Sequence, residues 1–428
     1  MVPDVVVVLA KSPVPGRVKT RLQPTFSAAE AAALAAAAVR DTLDAVADLA
    51  PRRTVVAWDG PVVPWLAPTV CVVPQRGSSL DERLEHVLED VYALEGGRPA
   101  DVVLVGMDTP QLRAADLDLR WDDDDAVLGP SADGGYWSIG FRGHVPGAIG
   151  GVPMSTPHTG RAQLDRLHAL GLRVGVLPTM RDVDEAADAA AVAAVAPDTR
   201  FGRLHRRLVE SPCSPATLFD AALSGAEVEI RVADGKEQVS GFLGVGLVDA
   251  GQWGRLTEAD EVVVSRCEGP VLDIGCGPGR FVEALAYAGI PALGVDLSRE
   301  AVRQTRGRGG SALVRDVHER VPGEGRWGTV LLADGNIGIG GDPLTLLRRC
   351  RAVLRPGAVA LVETSPERWH DIRTTVTLHG PWGRRSHPVP WAVLGSTALV
   401  DLAAVAGFLA VEEWHVGGRE FVILRHAG

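Results

Sequence analysis
The chain has 428 residues, 46% of them hydrophobic and 23% charged, with a formal net charge of −11. That length exceeds one typical domain and predicts two of roughly 200 residues each, and the acidic balance argues against a nucleic-acid backbone as the main partner. Five scattered cysteines, Cys71, Cys213, Cys267, Cys276 and Cys350, make no CxxC or zinc-like spacing and read as reduced thiols of a cytoplasmic protein. The apolar start at residues 5–10 is too short for a signal segment or a membrane span.

Residues 5–10 are a β-branched run of the kind that forms a buried parallel strand. The loop KSPVPGRVKTRL then presents Lys11, Arg17, Lys19 and Arg21 from a turn stiffened by Pro13 and Pro15. Open α/β sheets bind ligands at this end of a strand, so the four cations form a candidate phosphate clamp; a solvated basic loop is the plainer alternative. Ser27 caps an alanine-rich helix to about Leu49, strands follow near residues 53–58 and 70–74, and residues 78–94 are an amphipathic helix carrying Arg83.

The next strand ends in GMDTP, and a carboxylate at its tip, Asp108, can hold a divalent metal against nucleotide phosphates. Asp116 with Asp118, and the acidic run at 122–125, read instead as a solvated connector. Asp133, Gly134, Gly135 and Tyr136 sit in a turn between two short strands, which adds a second carboxylate at the same rim. After a helix near residues 160–170 and a strand at 174–178, Asp182 and Asp184 reach another strand end, as a second metal ligand or as caps of the helix that follows.

The stretches AKSPVPGRVKTRL, GMDTPQL, GPSADGGYWSIG and RDVD resemble the GT-A-like nucleotide-utilising transferases, in particular the bacterial rSAM/selenodomain-associated transferase 1 family. The resemblance implies a nucleotide or nucleotide-sugar over the basic loop, Mg²⁺ or Mn²⁺ at Asp108 with Asp184 as second ligand, and catalytic roles for Asp108 and Asp133. The GxGxRMG-type loop of many nucleotidyltransferases is absent, and the KTRL form is similar to that of guanylyltransferases of phospholactate type. Glycosyl and nucleotidyl transfer are therefore both open.

Residues 196–217 mix Pro, Ser and basic residues and read as a join with one short helix at 201–209; the expected boundaries are a domain at 1–208, a linker at 209–216 and a domain at 217–428. Residues 218–268 are expected to supply N-terminal helices that close over the substrate, with Trp253 and Arg255 in that lid.

In VLDIGCGPGR a strand ends at Asp273, and Gly275, Gly277 and Gly279 let the backbone pass close under a ligand before a helix begins. The spacing is GxGxG, not the GxGxxG of dinucleotide sites, and Asp273 places a negative charge where an amino and a sulfonium group would be welcome. The next strand ends at Asp296, at the distance from which an acid accepts hydrogen bonds from ribose hydroxyls. This ordered set resembles the class I S-adenosylmethionine-dependent methyltransferases. The resemblance implies that Asp316 contacts adenine with Val317 stacked beside it. It also implies that Asp334 and Asn336 lie on the acceptor side, and that a reversed terminal hairpin turns at Gly417 and Gly418. Between these, residues 365–391 gather Trp369, His370, His379, Trp382, Arg384, Arg385, His387 and Trp391, a candidate acceptor pocket or lid.

The fold expected is α/β in two domains: an N-terminal GT-A-like mixed sheet and a C-terminal class I methyltransferase Rossmann-like sheet. The function expected is bifunctional, a glycosyltransferase-like or nucleotidyltransferase-like enzyme fused to a methyltransferase of small-molecule acceptors, with S-adenosylmethionine and a divalent metal as cofactors. One half acting only as a binding or regulatory module is the alternative. No nucleic-acid or membrane partner is expected, and the oligomeric state is left open.

Overall fold
Four consecutive valines leave no polar face to turn to solvent, so they require a sheet covered on both sides. In the computed structural model, which describes residues 2–66, 70–96, 98–117, 121, 123–232 and 246–428, Val5–Lys11 (β1) lies between Arg53–Asp59 (β2) and a later strand, parallel to both. The chain divides into two units, Met1–Val209 and Glu210–Gly428.

Unit 1 adds Cys71–Pro74 (β3), Asp101–Gly106 (β4), Ala126–Pro130 (β5), Tyr136–Arg142 (β6) and Val174–Val176 (β7), in the order β3-β2-β1-β4-β6-β5-β7. β6 runs antiparallel to β4 and β5, so the sheet is mixed. Successive β1 residues point to opposite faces. Val6 and Val8 pack on Ala32, Ala35 and Val39 of the helix Ala28–Leu49 (α1), and Val5 and Val7 on Leu84, Val87 and Val91 of the helix Leu80–Leu94 (α2). Parallel β1, β2 and β4 thus end together, and their tips carry the basic loop and the Asp108 turn.

Thr159–Ala169 (α3), Ala186–Val195 (α4) and Arg200–Glu210 (α5) follow. The acidic connector bears out no site: Asp116 pairs with Arg113 and Asp125 with Arg173, while Asp118 and Asp122 lie outside the described residues.

Unit 2 departs from expectation before it agrees with it. Residues 209–216 are taken up in structure: Glu210 ends α5, Cys213 donates its amide to Arg385 O at 2.8 Å, and Pro215–Leu223 is a helix (α6). The stretch expected to be helical contains two strands, Glu229–Val232 (β8) and Gly246–Leu247 (β9), besides the helices Ala250–Trp253 (α7) and Glu258–Ser265 (α8). The cofactor-type sheet follows: Val271–Ile274 (β10), Arg280–Tyr287 (α9), Ala292–Asp296 (β11), Arg299–Gly307 (α10), Ala312–Val314 (β12), Trp327–Leu332 (β13), Pro343–Val353 (α11) and Leu354–Thr364 (β14). Asp371–His379 (β15) and Val389–Leu394 (β16) interrupt it, and Ser396–Ala406 (α12), Phe408–Val416 (β17) and Arg419–His426 (β18) complete it.

Its strand order is β12-β11-β10-β13-β14-β18-β17, with β18 antiparallel to β14. This is the Rossmann-like sheet with a reversed terminal hairpin. The inserted β15 and β16 join β8 and β9 in a separate four-stranded sheet, β16-β15-β8-β9. Among the described residues no helix is long and apolar enough to cross a membrane.

The longest helix of unit 1, α1, starts in a capping box: Ser27 Oγ accepts the Glu30 amide at 3.3 Å, and Glu30 Oε2 accepts the Ser27 amide at 2.7 Å. Ser27→Ala is expected to lower the stability of unit 1 by about 1 kcal/mol. Urea denaturation checks this: the midpoint should fall with the slope unchanged.

Candidate functional site
In unit 2 the loop after β10 turns left-handed at Gly275 and Gly279, with φ of +71° and +88°. A side chain at Gly275 would meet Asn336 at 2.6 Å, and one at Gly279 would meet Thr305 at 2.5 Å, so both positions require glycine. The Asn336 Nδ2 amide donates to Ile274 O at 2.8 Å and to Gly275 O at 3.0 Å. Both hydrogens of its Nδ2 hold the loop, so Asn336 braces the cradle.

Asp273 lies under this loop, 2% exposed, and its Oδ2 has no hydrogen-bond partner. Burial pushes its pKa up to about 7, opposed by Arg280 and reinforced by Asp334 and Asp296. Asp296 Oδ2 accepts the Gly277 amide at 2.9 Å and Oδ1 the Ser298 amide at 2.8 Å, which orients the acid at the tip of β11. Asp316 turns its Oδ1 to the His318 amide at 2.9 Å. Val317, expected to stack on adenine, is instead 4% exposed within the main core beside Leu272 and Val330, where its apolar side chain is covered on folding.

Around Asp273 runs an ion network absent from the sequence reading. Arg280 meets Asp260 Oδ2 at 3.2 Å and Asp334 Oδ1 at 2.8 Å. Arg419 meets Asp260 Oδ1 at 2.6 Å, Glu363 Oε2 at 2.6 Å and Asp334 Oδ1 at 3.2 Å. Asp334, read as an acceptor-side group, is therefore clamped by two guanidiniums through one oxygen. Trp253 joins through its carbonyl, which accepts from Arg280 Nη1 at 3.2 Å, whereas Arg255 is exposed.

The aromatic and cationic insertion does not form one pocket. β15 is nine residues long, roughly 27 Å of extended chain. Its Asp371 end pairs with Leu394 and its His379 end with Glu229, so His370 and His379 are held far apart. His370 Nδ1 is 2.9 Å from Ser365 Oγ. Trp391 packs against the backbone at Gly338, beside the β13 tip.

In unit 1 the basic loop behaves differently from a free clamp. Lys19, with φ +47°, turns inward until its side chain is 8% exposed; Nζ lies 2.7 Å from Asp108 Oδ1 and 3.3 Å from Asp184 Oδ1, and also donates to Val183 O. Burial alone would lower its pKa, but Asp108 and Asp184 hold it above the ordinary value. Arg21 adds a contact to Asp184 at 3.2 Å. An ammonium thus lies between Asp108 and Asp184, the two acids expected to share a metal.

Asp133, Asp182 and Asp184 bring carboxylate oxygens within 4.8 Å of one another. Burial, then Asp133, Asp184 and Asp108, push Asp182 up to about 6. Neither Asp182 nor Asp184 caps α4: Glu185 is its N-cap, and Asp188 accepts the Glu185 amide at 3.0 Å. Lys11 and Arg17 stay exposed, with Lys11 3.9 Å from Asp59. Arg83 also turns to Asp59, at 3.4 Å.

Residues 264–413 match the family described as "Methyltransferase domain". Unit 2 carries a methyltransferase domain. Residues 31–156 match the family described as "Uncharacterized protein conserved in bacteria (DUF2064)". The methyltransferase domain is similar to the trans-aconitate 2-methyltransferase of Paracidovorax citrulli, 28% identical over 155 residues, which are 34% of this chain and 59% of that relative. The chain therefore spans about three-fifths of that relative's length. A solved structure from Desulfovibrio desulfuricans G20, described as a "putative nucleotide-diphospho-sugar transferase", is 27% identical with a TM-score of 0.44 and covers 48% of this chain and 95% of its own. A methyltransferase from Bacteroides fragilis, solved with S-adenosyl-L-homocysteine, is 19% identical with a TM-score of 0.42 and covers 50% of this chain and 94% of its own.

The raised Asp273 pKa has a stability consequence. Between about pH 4 and pH 7 the unfolded chain has lost this proton while the native state keeps it. The native state then binds more protons, so this group makes stability fall as pH rises through that window and adds no further slope above it. Asp273→Asn removes the effect. Paired denaturation curves at pH 4.5 and pH 8 should show the variant gaining on the parent by roughly 2–4 kcal/mol across the window.

Proposed function
We propose that unit 2 binds S-adenosylmethionine across the glycine loop and transfers its methyl group to a small-molecule acceptor. The observation that carries this reading is the unpartnered Oδ2 of Asp273 in a buried, acid-rich setting. A cationic ligand group there gives the carboxylate the partner that burial otherwise denies it. Bound in this cradle, the donor would supply an electrophilic methyl carbon on a sulfonium: an acceptor's lone pair would bond to that carbon in line as the carbon–sulfur bond breaks, its electron pair staying on sulfur in the departing S-adenosylhomocysteine.

The chain's own residues do the holding. Asp273 favours the donor's positive charge, and the Asp296 carboxylate at the tip of β11 faces the ribose. Asn336 fixes the loop from below, and the Arg280 and Arg419 clamp keeps Asp334 in one orientation at the rim. Alignment of this kind is the main contribution such a site makes to methyl transfer.

Isothermal titration of the full chain with S-adenosyl-L-homocysteine should show binding that Asp273→Asn weakens by roughly 100-fold, the cost of losing a buried charged partner. NADH should not compete. Because Asp273 must release its proton to pair with a cation, affinity should decline as pH drops below about 7. NADH binding in place of the thioether nucleoside would refute the reading.

Unit 1 supports a second reading, as a transferase acting on a nucleotide or nucleotide-sugar at the ends of β1 and β4. Lys11 and Arg17 are exposed on the loop after β1, Arg21 contacts Asp184, and Asp133, Asp182 and Asp184 gather their carboxylates, residue types suited to phosphates and to sugar hydroxyls respectively. Glycosyl and nucleotidyl transfer both use such a site. Since Lys19 occupies the position between Asp108 and Asp184, Lys19→Gln should raise Mn²⁺ affinity above that of the parent, measured by electron paramagnetic resonance. Tight Mn²⁺ binding by the parent that Asp108→Asn abolishes would show that the ammonium yields to the metal.

A further inference from the structure
The glycine cradle is tied to a helix that the cofactor motif does not include. Asp220, on α6, accepts the Ser298 hydroxyl at 2.5 Å and the Glu300 amide at 3.0 Å through one oxygen. Ser298 Oγ in turn caps α10 by accepting the Ala301 amide at 2.9 Å. The Ser298 amide donates to Asp296 Oδ1, and the other Asp296 oxygen accepts the Gly277 amide. Three hydrogen bonds in series thus run from α6 through the tip of β11 into the glycine loop.

The rest of α6 makes this more than a local turn. Gln304 Nε2 on α10 donates to Leu223 O at 2.9 Å, a second tie between α6 and the same helix. On its other side, Leu218 is fully buried against Val228 and Leu378, so α6 also belongs to the core of the four-stranded sheet. The one carboxylate on α6 is therefore spent on the cofactor strand's tip while the apolar face holds the inserted sheet.

We propose that Asp220 is a positioning residue for the ribose of the methyl donor: it fixes Ser298, Ser298 fixes Asp296, and Asp296 presents its remaining lone pairs to the ribose hydroxyls in one orientation. This rests on the methyl-donor reading of unit 2. Asp220 also stands near enough to Asp296 to contribute, behind the main effect of burial, to that acid's raised pKa. Its position therefore matters electrically as well as sterically.

The test uses the full chain and two ligands, S-adenosyl-L-homocysteine and its 2′,3′-dideoxy analogue, titrated calorimetrically into the parent, Asp220→Ala, Asp220→Asn and Ser298→Ala. Asp220→Ala should weaken the hydroxylated ligand roughly tenfold and leave the dideoxy ligand unchanged, since what is lost is orientation of the group that reads the hydroxyls. Ser298→Ala should give the same pattern with Asp220 in place. Asp220→Asn should retain most of the affinity, because an amide carbonyl still accepts both bonds. Equal loss for both ligands, or none for either, would overturn the role of Asp220 alone. A parent chain that binds neither ligand would overturn the methyl-donor reading, and the positioning role with it.

Discussion

The Asp273 carboxylate is the constraint around which unit 2 is built. It is buried, as are Asp260 and Glu363, with Asp334 at the rim, while Arg280 and Arg419 are the guanidiniums that bind Asp260, Asp334 and Glu363. Four acids stand against two bases, and burial first, then the charges of Asp334 and Asp296, hold the Asp273 pKa up. Every partner comes from a different place in the chain: α8, β10, α9, the β13 tip, β14 and β18. Arg419 is the guanidinium bound to Glu363, and with Arg280 it shares Asp260 and Asp334, so removing Arg419 would strip a cation from buried Asp260 and Glu363 at a cost above what the pairs contribute. The sheet is what brings these acids together at its carboxyl edge.

Unit 1 meets a similar crowding of acids by a different route. Asp108 and Asp184 receive their positive charge from within, through Lys19 and Arg21. Asp182, through burial first and then the charges of Asp133, Asp184 and Asp108, holds its proton more tightly. A left-handed backbone at Lys19 is what aims the side chain inward, and a non-glycine residue held there is a strain that the two ion pairs offset. The basic loop is therefore divided: the Lys19 ammonium is internal to the acid pair, and Lys11 and Arg17 are exposed.

Much of this was legible in the residues. Val5 to Val8 could only be a covered strand, and Asp273 with three alternate glycines could only be a close-approach loop after a strand. What escaped had a common cause, in that it depends on partners far away in the chain. The four-stranded sheet pairs Arg231 with Thr377 and Glu229 with His379, so no local periodicity marks β8 as a strand of that sheet. Lys19 looks like its basic neighbours until Asp184, 165 residues on, is seen beside it. Val317 was assigned by its neighbour, but an apolar residue one step past a strand tip goes where the core is. The cap alternative for Asp182 and Asp184 stayed open beside the metal-ligand one because the true cap, Glu185, is a residue type seldom chosen for that position.

The reversed terminal hairpin gains a physical reason from the same network. In a parallel sheet every strand delivers its last residues, never its first, to the edge where ligands bind. An antiparallel strand does the opposite. β18 pairs with β14 so that Glu420 lies opposite Thr364 and Phe421 opposite Glu363. Its first residue, Arg419, is thereby set at the carboxyl edge, directly after the turn at Gly417 and Gly418. A basic residue placed there needs no loop to carry it to the acids, because the strand's own hydrogen bonds fix it. From that position it reaches Asp260, Asp334 and Glu363 together. Had β18 run parallel, the edge beside Asp273 would have received His426 in place of Arg419, and the acids would have lost a cation that stays charged at any working pH. The reversal is thus tied to the charge balance of the site as closely as the glycine loop is tied to its shape.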